Sequence, residues 1–274
     1  MCRKEKRLNK ENGKQYAPCA GAFAPHHCGG AGVYSGNFRV DDPVQGPIGD
    51  CYLISALASI AWAYPARLNS YPNYSFLGTK NANVDLRNNG TMNVLLNSQG
   101  NPAGAKLGVN NDNWPLLYEK AYAVAKGCGN WGTTNCPDVS TISGGVGLNA
   151  LKEAFRTNNG TSFLINISQG VNNMVTSLNA CTAPANGKAT RAAVAWTSAA
   201  TNEINKEHTY SYLGYYKDPS NNYYLVLRNP CRSEPTTNVA TSGNWLVNFA
   251  NQNDGIFALK FSAINTNLNI GYVW

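Results

Sequence analysis

The spacing of apolar positions changes once along the chain, near residue 158. Ahead of that point the pattern is helical. In the stretch from Cys51 to Tyr64, Leu53, Ile54, Leu57, Ala58, Ile60 and Ala61 leave little polar face, which predicts a buried helix. Asp50 is placed to cap its start, and Pro65 follows its end. A second helix is predicted over Asn113 to Lys126, "NWPLLYEKAYAVAK", with Pro115 in its first turn and Gly127 behind it. A third, "LNALKEAFR" at 148–156, follows the turn "SGG" at 143–145, and strand-like pieces lie near 84–96. Behind Asn158–Gly160 the runs are short, β-branched and aromatic: "TSFLINIS", "ATRAAVAWTS", "EHTYSYLGYY", "NYYLVLRN", "DGIFALKF" and "LNIGYVW". Turn residues separate them, and one helical piece from Val171 to Ala180 interrupts them. A helical half followed by a β-rich half predicts an α+β fold with a cleft between the two. The expected units are a Gly/Ala-rich arm at 1–36, a helical subdomain at 37–158 and a β-rich subdomain at 159–274.

Composition narrows the function classes. Charged residues make up 14% of the 274-residue chain, and the net charge is +7. Six basic and two acidic residues fall within the first 14 positions, which describes a solvated tail. No basic stripe with interleaved aromatics follows, so nucleic acid is not an expected partner. No apolar run reaches the ~20 residues of a membrane-spanning helix. The start lacks the apolar core of a signal peptide, while a longer parent chain with a leader or further domains stays open. Eight cysteines and the sequons at Asn73, Asn89, Asn159 and Asn166 keep a secreted location open. Cys128 and Cys136 flank one loop and are a candidate pair. Cys19, His26, His27 and Cys28 are candidate zinc ligands, although their spacing fits no standard finger.

Cys51 is the position with the clearest chemistry. It opens the buried helix, where unpaired N–H groups and the helix dipole favour a thiolate. Of the three histidines, only His208 lies in a predicted strand, on the opposite half of the chain. Asn229 closes a later apolar strand just before Pro230, in reach to orient an imidazole. Gln45, six residues before Cys51, supplies a side-chain amide that can join the Cys51 N–H in holding an oxyanion. Each residue alone reads as ordinary core or turn. Their joint order, Gln, Cys, His, Asn, split across two halves of different type, points to nucleophilic catalysis.

Several segments carry a family resemblance. "QGPIGDCYLISALASI" resembles the active-site segment of calpain-type cysteine proteases, Gln-Gly-x-x-Gly-Asp-Cys-Trp followed by an apolar helix. "NWPLLYEKAYA", "SGG", "HTYSYLGYY", "LVLRNPC" and "NDGIFALKFSAI" are similar to further segments of that family, in the same order from about residue 42 onward. The resemblance implies a papain-like fold in two subdomains and a thioester acyl-enzyme. It assigns Cys51 as nucleophile, His208 as base, Asn229 as orienting group and Gln45 as oxyanion donor. It further implies protein or peptide substrates, a cytoplasmic location and no required cofactor; oligomeric state is left open. Calcium is a candidate ligand of Asp42 and Asp254, which match acidic ligands of the family's two sites. Three features depart from the pattern: Cys231 replaces a tryptophan, Ile256 replaces an acidic residue, and "GCGNWGTTNCPDV" looks inserted. The rival readings are an acyl transferase on the same architecture and a binding module whose catalytic constellation has decayed. Cys231, two residues after Asn229, is also a candidate partner for an oxidised Cys51.

Overall fold

The computed structural model describes residues 38–69, 81–86, 90–95, 105, 114–127, 139–240, 245–247, 249 and 254–274. The arm, with its candidate zinc ligands, and the Cys128–Cys136 loop lie outside the described residues. Helix α1 runs Cys51–Ala63, α2 Pro65–Asn69, α3 Trp114–Ala125, α4 Gly147–Phe155 and α5 Val171–Leu178. Strands β1 (Asn81–Leu86) and β2 (Gly90–Leu95) form a two-stranded antiparallel sheet. The remaining strands are β3 Gly160–Ile165, β4 Lys188–Thr197, β5 His208–Lys217, β6 Tyr223–Arg228, β7 Ile256–Lys260 and β8 Leu268–Val273. They form one antiparallel sheet in the order β3-β8-β4-β5-β6-β7. The fold class is α+β, with the change of pattern where the apolar spacing changes. Among the described residues no helix is long and apolar enough to cross a membrane.

Helix α1 is the element that joins the two halves. Twelve of its thirteen residues are buried. Tyr52, Leu53, Ala56, Leu57, Ile60 and Ala61 belong to a core shared with α3 and α4. Ala58 and Trp62 belong to the core of the large sheet. Ser55, Ala58, Ser59 and Trp62 recur at helical spacing, so one face of α1 is built for the sheet. Small residues let that face approach closely, and its polar atoms bond to strand backbone. Ser55 Oγ donates to Thr209 O at 2.7 Å, and Ser211 Oγ donates to Ser55 O at 2.9 Å. Ala193 N donates to Ser59 Oγ at 2.5 Å, and Trp62 Nε1 donates to Leu213 O at 2.8 Å. Every buried hydroxyl on this face has a partner, as burial requires.

One expectation about α1 is corrected. Asp50 stands at the N-cap position, but its side chain makes no cap bond. Pro65 follows the helix as expected and opens α2, since proline is preset for a first helical position. The turn at 143–145 has a packing reason. A Cβ at Gly145 would stand 2.5 Å from the Tyr52 ring. Tyr52 also donates its hydroxyl to Ile142 O at 2.9 Å, and Gly144 N donates to Gly49 O at 2.8 Å. The turn therefore supports the loop and helix start that carry Cys51.

Candidate active site

Residues at one end of the sheet meet the start of α1. In antiparallel order the start of β5 lies beside the end of β6, with Ser211 paired to Arg228. His208, the first residue of β5, thus faces Asn229, the first residue past β6. The bond between them runs from His208 Nε2 to Asn229 Oδ1 at 2.9 Å. The surrounding bonds fix its direction. Cys231 N donates to Asn229 Oδ1 at 3.0 Å, and Asn229 Nδ2 donates to Ser233 Oγ at 2.9 Å. Oδ1 is therefore an acceptor, and the network assigns the imidazole proton to Nε2. The other ring nitrogen, Nδ1, is left with a lone pair, which is the tautomer a base needs. Tyr210 packs edge-on against the imidazole, with centroids 4.9 Å apart, and its hydroxyl accepts from Asn205 N at 3.0 Å. Burial of His208 lowers its pKa, and the Asn229 bond acts in the opposite direction.

The Asn229 backbone is held equally firmly. Asn229 N donates to Gly255 O at 2.8 Å. Gly255 has φ +82°, and a Cβ there would stand 2.4 Å from Asn229 O. Only glycine meets both demands without strain.

Cys51 is the first residue of α1 and is buried, at 9% exposure. Its contact across the interface is a hydrogen bond with Thr209, the residue after His208. Gly147 at the start of α4 packs against the same strand residue, since a Cβ there would stand 2.9 Å from Thr209 Cγ2. The expectation of a lowered thiol pKa fails for the structure as it stands. Burial pushes the Cys51 thiol up; the Thr209 bond opposes this and the Asp50 charge adds to it. With the thiol raised and the imidazole lowered, both groups rest in their neutral forms at neutral pH.

Gln45 is buried on the loop before α1. Its backbone N–H donates to Pro230 O at 3.0 Å, tying the loop to the segment after Asn229. Its Nε2 donates to Ile48 O at 2.5 Å. The Cys231 sulfur lies 3.3 Å from Gln45 Oε1. Cys231 is disulfide-bonded, so its sulfur has no hydrogen to donate and the approach is a contact. Cys51 and Cys181 are free. The expectation that Cys231 partners an oxidised Cys51 is corrected accordingly: its sulfur is already committed.

Sequence reasoning passed over one anchor of this arrangement. Arg228 is fully buried, and its Nη2 donates to Pro43 O at 2.7 Å and to Asp41 O at 3.3 Å. Arg232 Nη2 donates to Asp41 O at 3.0 Å. Asp41 is also paired with Arg39 at 2.9 Å. These arginines fasten the Gln45 loop to the end of β6. An apolar strand ending in arginine reads as a surface charge, so the residue leaves no signal in the sequence. Burial lowers the Arg228 pKa to about 10, with the Arg232 charge adding to the effect.

Asp42 and Asp254 fall in the same neighbourhood. Asp42 Oδ2 accepts from Arg39 N at 2.9 Å and Trp114 Nε1 at 2.9 Å. Asp254 Oδ1 accepts from Ile256 N at 2.7 Å. Burial raises the Asp254 pKa, and the Arg228 charge pulls it back. Among the described residues no three His, Cys, Asp or Glu side chains group together as a metal cluster.

No protein-family model matches the chain. A thiol protease of Porphyromonas gingivalis (strain ATCC BAA-308 / W83) is 29% identical over 268 aligned residues, covering 83% of this chain. The chain spans 53% of that relative's length. The similarity supports a cysteine-protease reading of the chain at the level of a distant relative, without reaching the calpain type.

Proposed function

We propose that this chain is a cysteine endopeptidase of calpain type on a papain-like fold, working through Cys51, His208, Asn229 and Gln45. The observation that carries the reading is the 2.9 Å bond between His208 and Asn229, oriented by Cys231 N and Ser233, one residue from the Thr209 contact of Cys51. Similarity to a thiol protease supports the reading from an independent direction.

In this mechanism His208 Nδ1 takes the proton of the Cys51 thiol as the sulfur attacks the scissile carbonyl. Asn229 Oδ1 accepts the hydrogen bond from Nε2–H throughout and holds the ring. The negative charge that forms on the carbonyl oxygen meets the Cys51 backbone N–H, which has no intrahelical partner in a first turn, and the Gln45 amide. The imidazolium then protonates the leaving amine, and water hydrolyses the thioester. Because thiol and imidazole rest neutral, proton transfer accompanies attack instead of preceding it. The experiment is labelling of the purified chain with a peptidyl epoxide, followed by peptide mapping, alongside casein hydrolysis. Modification confined to Cys51 together with hydrolysis supports the reading. A chain that hydrolyses nothing and takes no label under reducing conditions, with and without calcium, is a decayed module.

Activity in this reading depends weakly or not at all on calcium. Asp42 and Asp254 already accept protein donors, and the Arg228 and Arg232 guanidinium groups lie close enough to shift or be shifted by both. Positive charge therefore occupies the surroundings a divalent cation would need. Hydrolysis measured across a calcium titration against chelator checks this, and a steep rise from negligible activity would overturn it.

A further inference from the structure

Two carboxyl groups directly behind Cys51 take no part in these steps. Asp50 precedes the nucleophile, Glu119 lies in α3, and both are fully buried. Their carboxyl groups are in hydrogen-bond contact. As two carboxylates they would be acceptors only, and neither could satisfy the other. Asp50 Oδ1, Asp50 Oδ2 and Glu119 Oε1 have no donor. Orphaned buried acceptors are costly, and two adjacent buried negative charges cost more. One proton removes the second charge and gives Glu119 Oε1 and one of the two Asp50 oxygens a partner. Ala105 N donates to Glu119 Oε2 at 2.6 Å, so that oxygen is an acceptor. The proton then belongs on Oε1, the atom without a donor, from which it reaches Asp50.

We propose that Asp50 and Glu119 share one proton, with Glu119 as donor, and that this pair positions the first turn of α1 and hence the Cys51 sulfur and N–H. The pair explains why Asp50 forgoes its cap bond: its side chain is turned to α3, while its carbonyl accepts from Leu53 N at 2.9 Å and Ile54 N at 3.2 Å. The groups facing the pair are Cys51 and Tyr52 on α1, Lys120 on α3 and the Ala105 N–H. The Asp50 charge already opposes a thiolate at Cys51. A second ionised carboxylate would deepen that opposition, so the shared proton also limits the negative charge beside the nucleophile to one. Burial raises both carboxyl pKa values, and the Asp50 charge raises Glu119 further.

The positioning role rests on the peptidase reading; the shared proton does not, and the two are tested separately. In the Cys51→Ala chain, infrared spectroscopy at neutral pH shows the carbonyl stretch of a protonated carboxyl group, absent after Glu119→Gln. In the same background the melting temperature is followed against pH. A carboxyl whose pKa is higher folded than unfolded keeps a proton the unfolded chain has lost. Stability therefore falls as pH climbs from the ordinary carboxyl range through the folded value, and Glu119→Gln removes that slope. A missing infrared band, or parallel melting profiles, overturns the shared proton. With Cys51 intact, Glu119→Ala lowers kcat about tenfold or more at unchanged KM, matching the cost of an unsatisfied buried charge. Glu119→Gln, whose amide donates to Asp50, restores the rate. Equal losses in the two variants, or none, overturn the positioning role. A wild-type chain with the infrared band but no hydrolysis leaves the shared proton standing and removes the peptidase reading.

Discussion

Cys51 and Cys181 are the free thiols among the described residues, and both are buried. The Cys181 sulfur lies 3.5 Å from Leu178 O and 4.0 Å from Thr182 Oγ1. The Thr182 hydroxyl is in turn bonded to Tyr212 at 2.7 Å. Burial pushes the Cys181 thiol up to about 12, with the Thr182 bond opposing, and the residue belongs to the sheet core. Burial pushes Cys51 up as well. The difference is in what surrounds each sulfur. Cys181 follows the end of a helix, where carbonyls oppose negative charge, and it faces packed side chains. Cys51 opens a helix, where N–H groups favour negative charge, and it touches the strand residue next to an oriented imidazole. Burial alone does not separate an inert thiol from a placed one. Helix polarity and the partner across the interface do.

The sharpest way to break this comparison is to exchange each thiol in turn. Cys51→Ala reduces hydrolysis to background while leaving the melting temperature close to wild type. Cys181→Ala leaves kcat unchanged and lowers stability by about 1 kcal/mol, the scale of a small core truncation. Hydrolysis by the Cys51→Ala chain would remove the nucleophile assignment. His208→Ala is nearly as severe as Cys51→Ala, because without the base the raised thiol stays protonated.

Gln45→Ala comes next, with kcat lowered ~10²–10³ as for the loss of an oxyanion donor. An effect confined to KM would assign Gln45 to the loop and not to the oxyanion. Asn229→Ala is milder, since it orients a ring and transfers no proton. Gly255→Ala should reproduce part of that loss without touching the triad, because its Cβ meets Asn229 O; unchanged kinetics would show that the turn yields freely.

The smallest effect is the most direct on the comparison. Native Cys51 reacts with iodoacetamide while Cys181 reacts only after unfolding. Since burial and Asp50 raise the Cys51 pKa, its rate climbs with pH through and beyond the range of a free thiol. A plateau below that range would mean a thiolate–imidazolium resting pair, contrary to the neutral pair described above.

Local periodicity accounts for most of what the sequence by itself determined. The helices at Cys51–Ala63, Trp114–Ala125, Gly147–Phe155 and Val171–Leu178 and the strands behind residue 158 follow from spacing and turn residues a few positions apart. Cys51, His208 and Asn229 stood out as candidates because each sits at the boundary of such an element, and Gln45 because it lies on the loop leading into α1. What the tertiary structure decided involves partners far apart in the chain. Ser55 meeting Thr209, Arg228 meeting Pro43, Glu119 meeting Asp50 and Cys231 already in a disulfide leave no trace in a short window. The protonation states belong to this second group. A helix start predicts a lowered thiol pKa, but the desolvation that raises it exists only once α1 is packed against the sheet, and so do the bonds that set the tautomer of His208.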